Sequence, residues 1–115
     1  MVEATKDNFR ELVAAGTVLV DVWGPGCAPC VAMMPRIEEL AEVVKAEKDV
    51  EVVKLDSSKN RRLCIDHRIM GLPAFLLFRD GKEVGRIGGN DVTFDRMTKW
   101  VSDNLPNLHQ PSQPD

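Results

Sequence analysis

Apolar positions along this chain change their period several times, and each change marks an element. Val18 to Trp23 (VLVDVW) is β-branched and apolar except at Asp21, the pattern of a strand covered on both faces in the middle of a sheet. From Cys30 onward, Met33, Met34, Ile37, Leu40, Ala41 and Val44 recur at helical spacing opposite Arg36, Glu38, Glu39, Glu42 and Lys45. That spacing predicts one amphipathic helix, which Pro35 should kink. Val50 to Leu55 (VEVVKL) reads as a second strand, so Val18 to Leu55 forms the strand, helix, strand crossover of a parallel pair. Upstream, Phe9, Leu12 and Val13 give a short helix ending at Gly16. Downstream, Arg61 to His67 is weakly helical, and Ala74 to Phe78, the turn Asp80-Gly81 and Glu83 to Ile87 signal an antiparallel hairpin. Phe94, Met97, Val101 and Leu105 mark a closing helix. The implied fold class is α/β, a central mixed β-sheet flanked by helices on both faces. One domain is expected over residues 1–105, with a disordered Pro/Gln/Ser-rich tail over 106–115.

Composition narrows the functional classes. With 115 residues, 43% of them apolar, the chain suits one buried core and leaves no room for a second domain. The formal net charge is −3 and the cations are scattered among acids, so no basic stripe is available for nucleic acid. Met1 to Arg10 lacks the apolar centre of a signal peptide, and no segment has the apolar length of a membrane span. A cytoplasmic protein without membrane association, acting as a monomer, is therefore expected.

Three cysteines are too few, and odd in number, for a framework of structural disulfides. Only Cys27 and Cys30 are close in sequence, in Trp23-Gly24-Pro25-Gly26-Cys27-Ala28-Pro29-Cys30 between the first long strand and its helix. A cysteine at a helix amino terminus faces unpaired N–H groups and the positive end of the helix dipole, both of which favour thiolate. Cys27 is thus the expected low-pKa nucleophile, and Pro29 sits in the first turn, where a missing N–H costs nothing. Cys30, one turn along on the same side, is the expected buried, resolving thiol that breaks a mixed disulfide. The bland alternative is a pair of structural cysteines, or half of a zinc site.

The run VDVWGPGCAPC, with Pro35 eight residues after Cys27, resembles the active-site signature of the thioredoxin family, and Gly71-Leu72-Pro73-Ala74-Phe75 resembles its second signature at the family's spacing. The resemblance covers about Val2 to Asn104. It implies the thioredoxin fold and a protein-disulfide reductase that carries electrons through a reversible Cys27–Cys30 dithiol/disulfide, serving cell redox homeostasis. Its implied partners are a thioredoxin reductase-type enzyme and disulfide-containing target proteins, with no bound cofactor. Pro73 is implied to be a cis-proline facing the cysteines, leaving the Leu72 backbone to pair with a substrate strand. Trp23, Gly26, Ala28, Pro29, Leu72, Pro73 and Gly89 are the implied substrate-binding residues.

Asp21, if desolvated within its strand, is a candidate general base toward Cys30, with Lys54 implied as its charge partner. The alternative is a solvated carboxylate at a strand edge. The chain departs from the family at Gly26, where a second tryptophan is usual, and at Ala28, Val31 and Gly88. These changes strip bulk and positive charge from the substrate-facing rim, and the Gly-Cys-x-Pro-Cys form resembles an atypical subgroup of some anaerobic bacteria.

Two other classes compete. Cys64 and His67 have the spacing of half a zinc site and could nominally join Cys27 and Cys30 in Cys3His ligation. The intervening strand Val50 to Leu55 argues against convergence, so no metal is expected; Cys64 reads as a semi-buried helix residue and His67 as a surface one. His109 carries no signal. A module that binds without turnover would not need an intact cysteine pair. Gly24, Gly26, Gly88 and Gly89 match no nucleotide fingerprint.

Overall fold

The computed structural model describes residues 1–105; the expected tail, 106–115, and His109 within it lie outside them. In chain order the elements are β1 (Val2–Ala4), α1 (Phe9–Val13), β2 (Thr17–Trp23), α2 (Ala28–Lys48), β3 (Val50–Asp56), α3 (Arg61–Asp66), β4 (Ala74–Arg79), β5 (Lys82–Gly88) and α4 (Phe94–Asp103). The five strands form one sheet in the order β1-β3-β2-β4-β5. β1 and β2 run parallel to β3, whereas β4 runs antiparallel to both β2 and β5.

The apolar run of β2 explains its central place, because the strand buries side chains on both faces. Val18, Val20 and Val22 point into a core with Phe9 and Val13 of α1 and Cys64 of α3. Leu19, on the opposite face, packs in a second core with Ile37 and Val44 of α2 and Met97 and Val101 of α4. Helices therefore cover both faces of a mixed sheet, as expected.

Several details refine this picture. β1 has only three residues and takes its strand form by pairing with β3. Helix α2 runs without interruption from Ala28 to Lys48 with Pro35 inside it, and it ends at Asp49, whose left-handed φ of 55° lets its N–H reach Val44 O. The hairpin turn uses two left-handed residues, Asp80 (φ 52°) and Gly81 (φ 87°), which matches the twist of β4 and β5. The same turn is tied to the start of β2: Asp80 N–H donates to Gly16 O, and Gly16 N–H donates to the Asp80 carboxylate, both at 2.9 Å.

Candidate active site

β2 and α2 meet in the short loop that carries the cysteines. Cys27 is the N-cap of α2, with extended backbone angles, and Pro29 lies within the first helical turn. Cys27 N–H donates to Gly24 O at 3.0 Å, and Cys30 N–H donates to Cys27 Sγ at 3.3 Å. The sulfur thus sits among the free N–H groups of the helix start, the arrangement that stabilises a thiolate. Cys27 and Cys30 are joined as a disulfide, with Cα atoms 5.3 Å apart. Their exposure differs: Cys27 is half-buried and open to the surface, whereas Cys30 is only 3% exposed. One sulfur can be reached from solvent and the other is held behind it.

The asymmetry follows from the helix period. Cys30, Ile37 and Val44 are spaced by seven residues, two turns each, and form the buried stripe of α2 that faces the sheet. Across from this stripe, alternation on β2 puts Asp21 on the same face as Leu19. β2 runs toward the loop and α2 runs back from it, so Asp21 lies on the sheet face that α2 covers. Asp21 is 3% exposed, which excludes the solvated strand-edge reading. Burial pushes its pKa from 3.8 up to about 7, against an opposing pull from the Lys54 ammonium. Lys54 is its register partner on β3.

The second loop closes the other side. The Leu72–Pro73 peptide bond is cis. A Cβ at Gly24 would come within 3.2 Å of Ser57 Oγ and 3.3 Å of Leu72 Cδ1, so the cysteine loop packs directly against the Leu72 loop and the turn after β3. Ser57 N–H donates to Trp23 O at 2.8 Å, fastening that turn to the end of β2. Gly89, at φ +118°, donates its N–H to Pro73 O at 3.1 Å. Gly26 faces open space, since a Cβ there would meet nothing within 4 Å, and Ala28 and Pro29 are exposed at the start of α2. Trp23, Gly26, Ala28, Pro29, Leu72, Pro73 and Gly89 accordingly belong to the cysteine loop and the two segments that flank the Pro73 turn.

Cys64 and His67 stand elsewhere. Cys64 is buried in the core on the α1 and α3 side of the sheet, where burial, with the nearby Asp56 charge, pushes its thiol pKa up. His67 is half-buried and not free at the surface: its ring lies 5.0 Å from Phe9 and 6.2 Å from Phe78, in an aromatic cluster that a short polar segment gave no reason to expect. Among the described residues, no group of three or more His, Cys, Asp or Glu side chains is placed to hold a metal ion.

Sequence reasoning missed two features of the site's surroundings. Asp56 and Asn60 are buried polar residues that shape the turn after β3: Asp56 accepts from Ser58 N–H and Oγ, and Asn60 Nδ2 donates to Asp56 O. The D-x-x-x-N spacing was a signal for such a turn. Arg86 reaches from β5 to the end of α3, donating to His67 O at 2.8 Å and Arg68 O at 3.1 Å, and no local pattern announces that contact. Arg86 and Arg68 both line a groove beside the Pro73 turn.

The family model described as Thioredoxin matches residues 1–103. The chain is similar to the thioredoxin of Acetoanaerobium sticklandii, 40% identical over 103 residues that span 88% of this chain and 96% of that protein. It is 38% identical over 107 residues to the thioredoxin of Peptoclostridium acidaminophilum, covering 91% of this chain and 96% of the other. To the chloroplastic Thioredoxin Y1 of Arabidopsis thaliana it is 33% identical over 103 residues, covering 88% of this chain and 58% of that one.

Proposed function

This chain belongs to the thioredoxin family and is a thiol-disulfide oxidoreductase that reduces protein disulfides, and from that premise we propose how its residues divide the reaction. The Cys27 thiolate attacks one sulfur of a target disulfide; a Cys27–target bond forms, the target S–S bond breaks, and the other target sulfur leaves as a thiolate. Cys30 gives its proton, through water, to the Asp21 carboxylate and attacks Cys27 Sγ. The Cys27–Cys30 disulfide closes and the second target thiolate departs. The target gains two electrons and the dithiol loses them, so an external dithiol reductant, a thioredoxin reductase-type enzyme, must restore the starting state.

One observation carries this reading: a half-exposed sulfur caps a long helix with a buried sulfur one turn behind it, and Asp21 is buried on the sheet face that this helix covers. The pKa near 7 supports the base role, because such a carboxylate can both take and return a proton near neutral pH. Lys54 serves as the charge partner that keeps that value from rising further. Trp23, Gly26, Ala28, Pro29, Leu72, Pro73 and Gly89 form the surface against which the target segment lies, with the Leu72 backbone pairing to it. We further place the working domain in residues 1–105 and its action in the cytoplasm, as a monomer, in electron transport and redox homeostasis. Consistent with the location, no helix among the described residues is long and apolar enough to cross a membrane.

The division of roles is tested by trapping. The Cys30→Ser variant should accumulate covalent complexes with targets through Cys27, released by dithiothreitol, and Cys27→Ser should accumulate none. Complexes formed equally by both variants would overturn the order of attack. Asp21→Asn should slow the closing step and remove its pH dependence around 7, and an unchanged profile would remove Asp21 from the mechanism.

A further inference from the structure

A groove of about 410 Å³ opens beside the Pro73 turn, lined by residues of the loop after α3 and of β4 and β5. Two cations, Arg68 and Arg86, belong to its walls, and its lining contains no acid, in a chain where acids outnumber cations 18 to 15. The two arginines are not equivalent. Arg86 is fully engaged: its guanidinium is paired with the Glu83 carboxylate and donates to His67 O and Arg68 O. It is a brace that fixes the loop leading to Leu72 and Pro73. Arg68 has no carboxylate within ion-pair distance among the described residues, and its exposed side chain leaves a charge free at the groove. Met70, two residues on, is 93% exposed, a large apolar side chain held in water at the same edge.

We propose that this groove docks the flank of the target segment and selects targets carrying acidic residues next to the disulfide, with Arg68 as the specificity-determining contact and Met70 as its apolar neighbour. The proposal rests on the redox reading above and deepens it by naming the target's chemistry. The occupant follows from charge and position. A segment whose disulfide lies at Cys27 and whose backbone follows Leu72 continues past Gly71 to Met70 and Arg68, where a carboxylate answers the one unpaired charge. A rim contact of this kind acts chiefly on association and is screened by salt.

Arg68 also offers a clean test. Its backbone is left-handed, φ 56°, so Arg68→Gly removes the charge at a position where glycine is at ease, and the fold is not at risk. The probes are two synthetic disulfide peptides that differ only in having aspartates or asparagines beside one cysteine, each followed for kcat/KM. The wild-type protein should prefer the aspartate peptide by about threefold to fivefold at low salt. The preference should vanish in Arg68→Gly and at high salt, and persist in Arg68→Lys, with the asparagine peptide unaffected throughout. An equal preference in wild type and Arg68→Gly, or none in wild type, overturns the docking proposal while the reductase stands. If the wild type reduces neither peptide and Cys27 alkylates no faster than a free cysteine, the redox reading fails and takes this proposal with it.

Discussion

Burial holds the Asp21 carboxyl at a pKa of about 7 against an ordinary 3.8, and the Lys54 charge draws it only partway back. Between those two values the folded protein keeps a proton that the unfolded chain gives up. Stability must therefore fall as pH rises through this window, and the full cost of the ionised group is present above it. At about 1.4 kcal/mol per unit, the penalty above pH 7 is about 4 to 5 kcal/mol. Asp21→Asn in the oxidised protein should raise the denaturant midpoint above the window and lose that advantage below it, whereas a gain independent of pH would show that desolvation of the carboxylate is not its source. The proposed base role gives such a costly residue a chemical justification, and the sequence marked it because an aspartate inside VLVDVW breaks the pattern around it. Cys27, Cys30 and Asp21 were legible because each sits in a local pattern. Arg68, Arg86 and the aromatic setting of His67 were not, because they are defined by contacts across 18 or more residues or between separate elements.

The Asp80-Gly81 turn shows the same contrast for elements. Its dipeptide and the alternating residues on either side predicted the hairpin, since only left-handed backbone matches the strand twist. Its tie to Gly16 was invisible, because the partner is 64 residues away. Gly81→Ala places a Cβ on a backbone at φ 87°, which should cost about 1 to 2 kcal/mol and lower the denaturant midpoint without altering its slope. Disulfide reduction by the folded fraction should be unchanged, and a loss of rate at full folding would mean that the hairpin reaches the site. The longer strands and α2 were legible from their apolar periods. β1 was not, because three residues carry no period and become a strand only through β3. Pro35 stands inside α2, which continues past it as the single helix its apolar spacing predicted.

At the scale of the whole molecule, the cysteine loop and Asp21 are carried by the strand with the most support. β2 is paired on both edges, buried on both faces, and links the two cores, with α1 and α3 against one side and α2 and α4 against the other. Asp21 lies within it, Trp23 ends it, and Cys27 follows four residues later. β1 and β5 each have a single neighbour, and β5 is partly exposed along its length. Local opening should therefore begin at the edges and reach the centre only with global unfolding. In native-state amide exchange, Val18 to Val22 and their partners on β3 and β4 should be the slowest, with opening free energies equal to the global value. Amides of β1 and the outer edge of β5 should exchange well before them. Reducing the Cys27–Cys30 bond should leave that order intact, because the cross-link closes a single turn at the start of α2 and spans no strand. If reduction speeds exchange in β2 as much as in α2, then the sheet is not an independent platform, and the two redox forms differ throughout the fold and not only at their sulfurs.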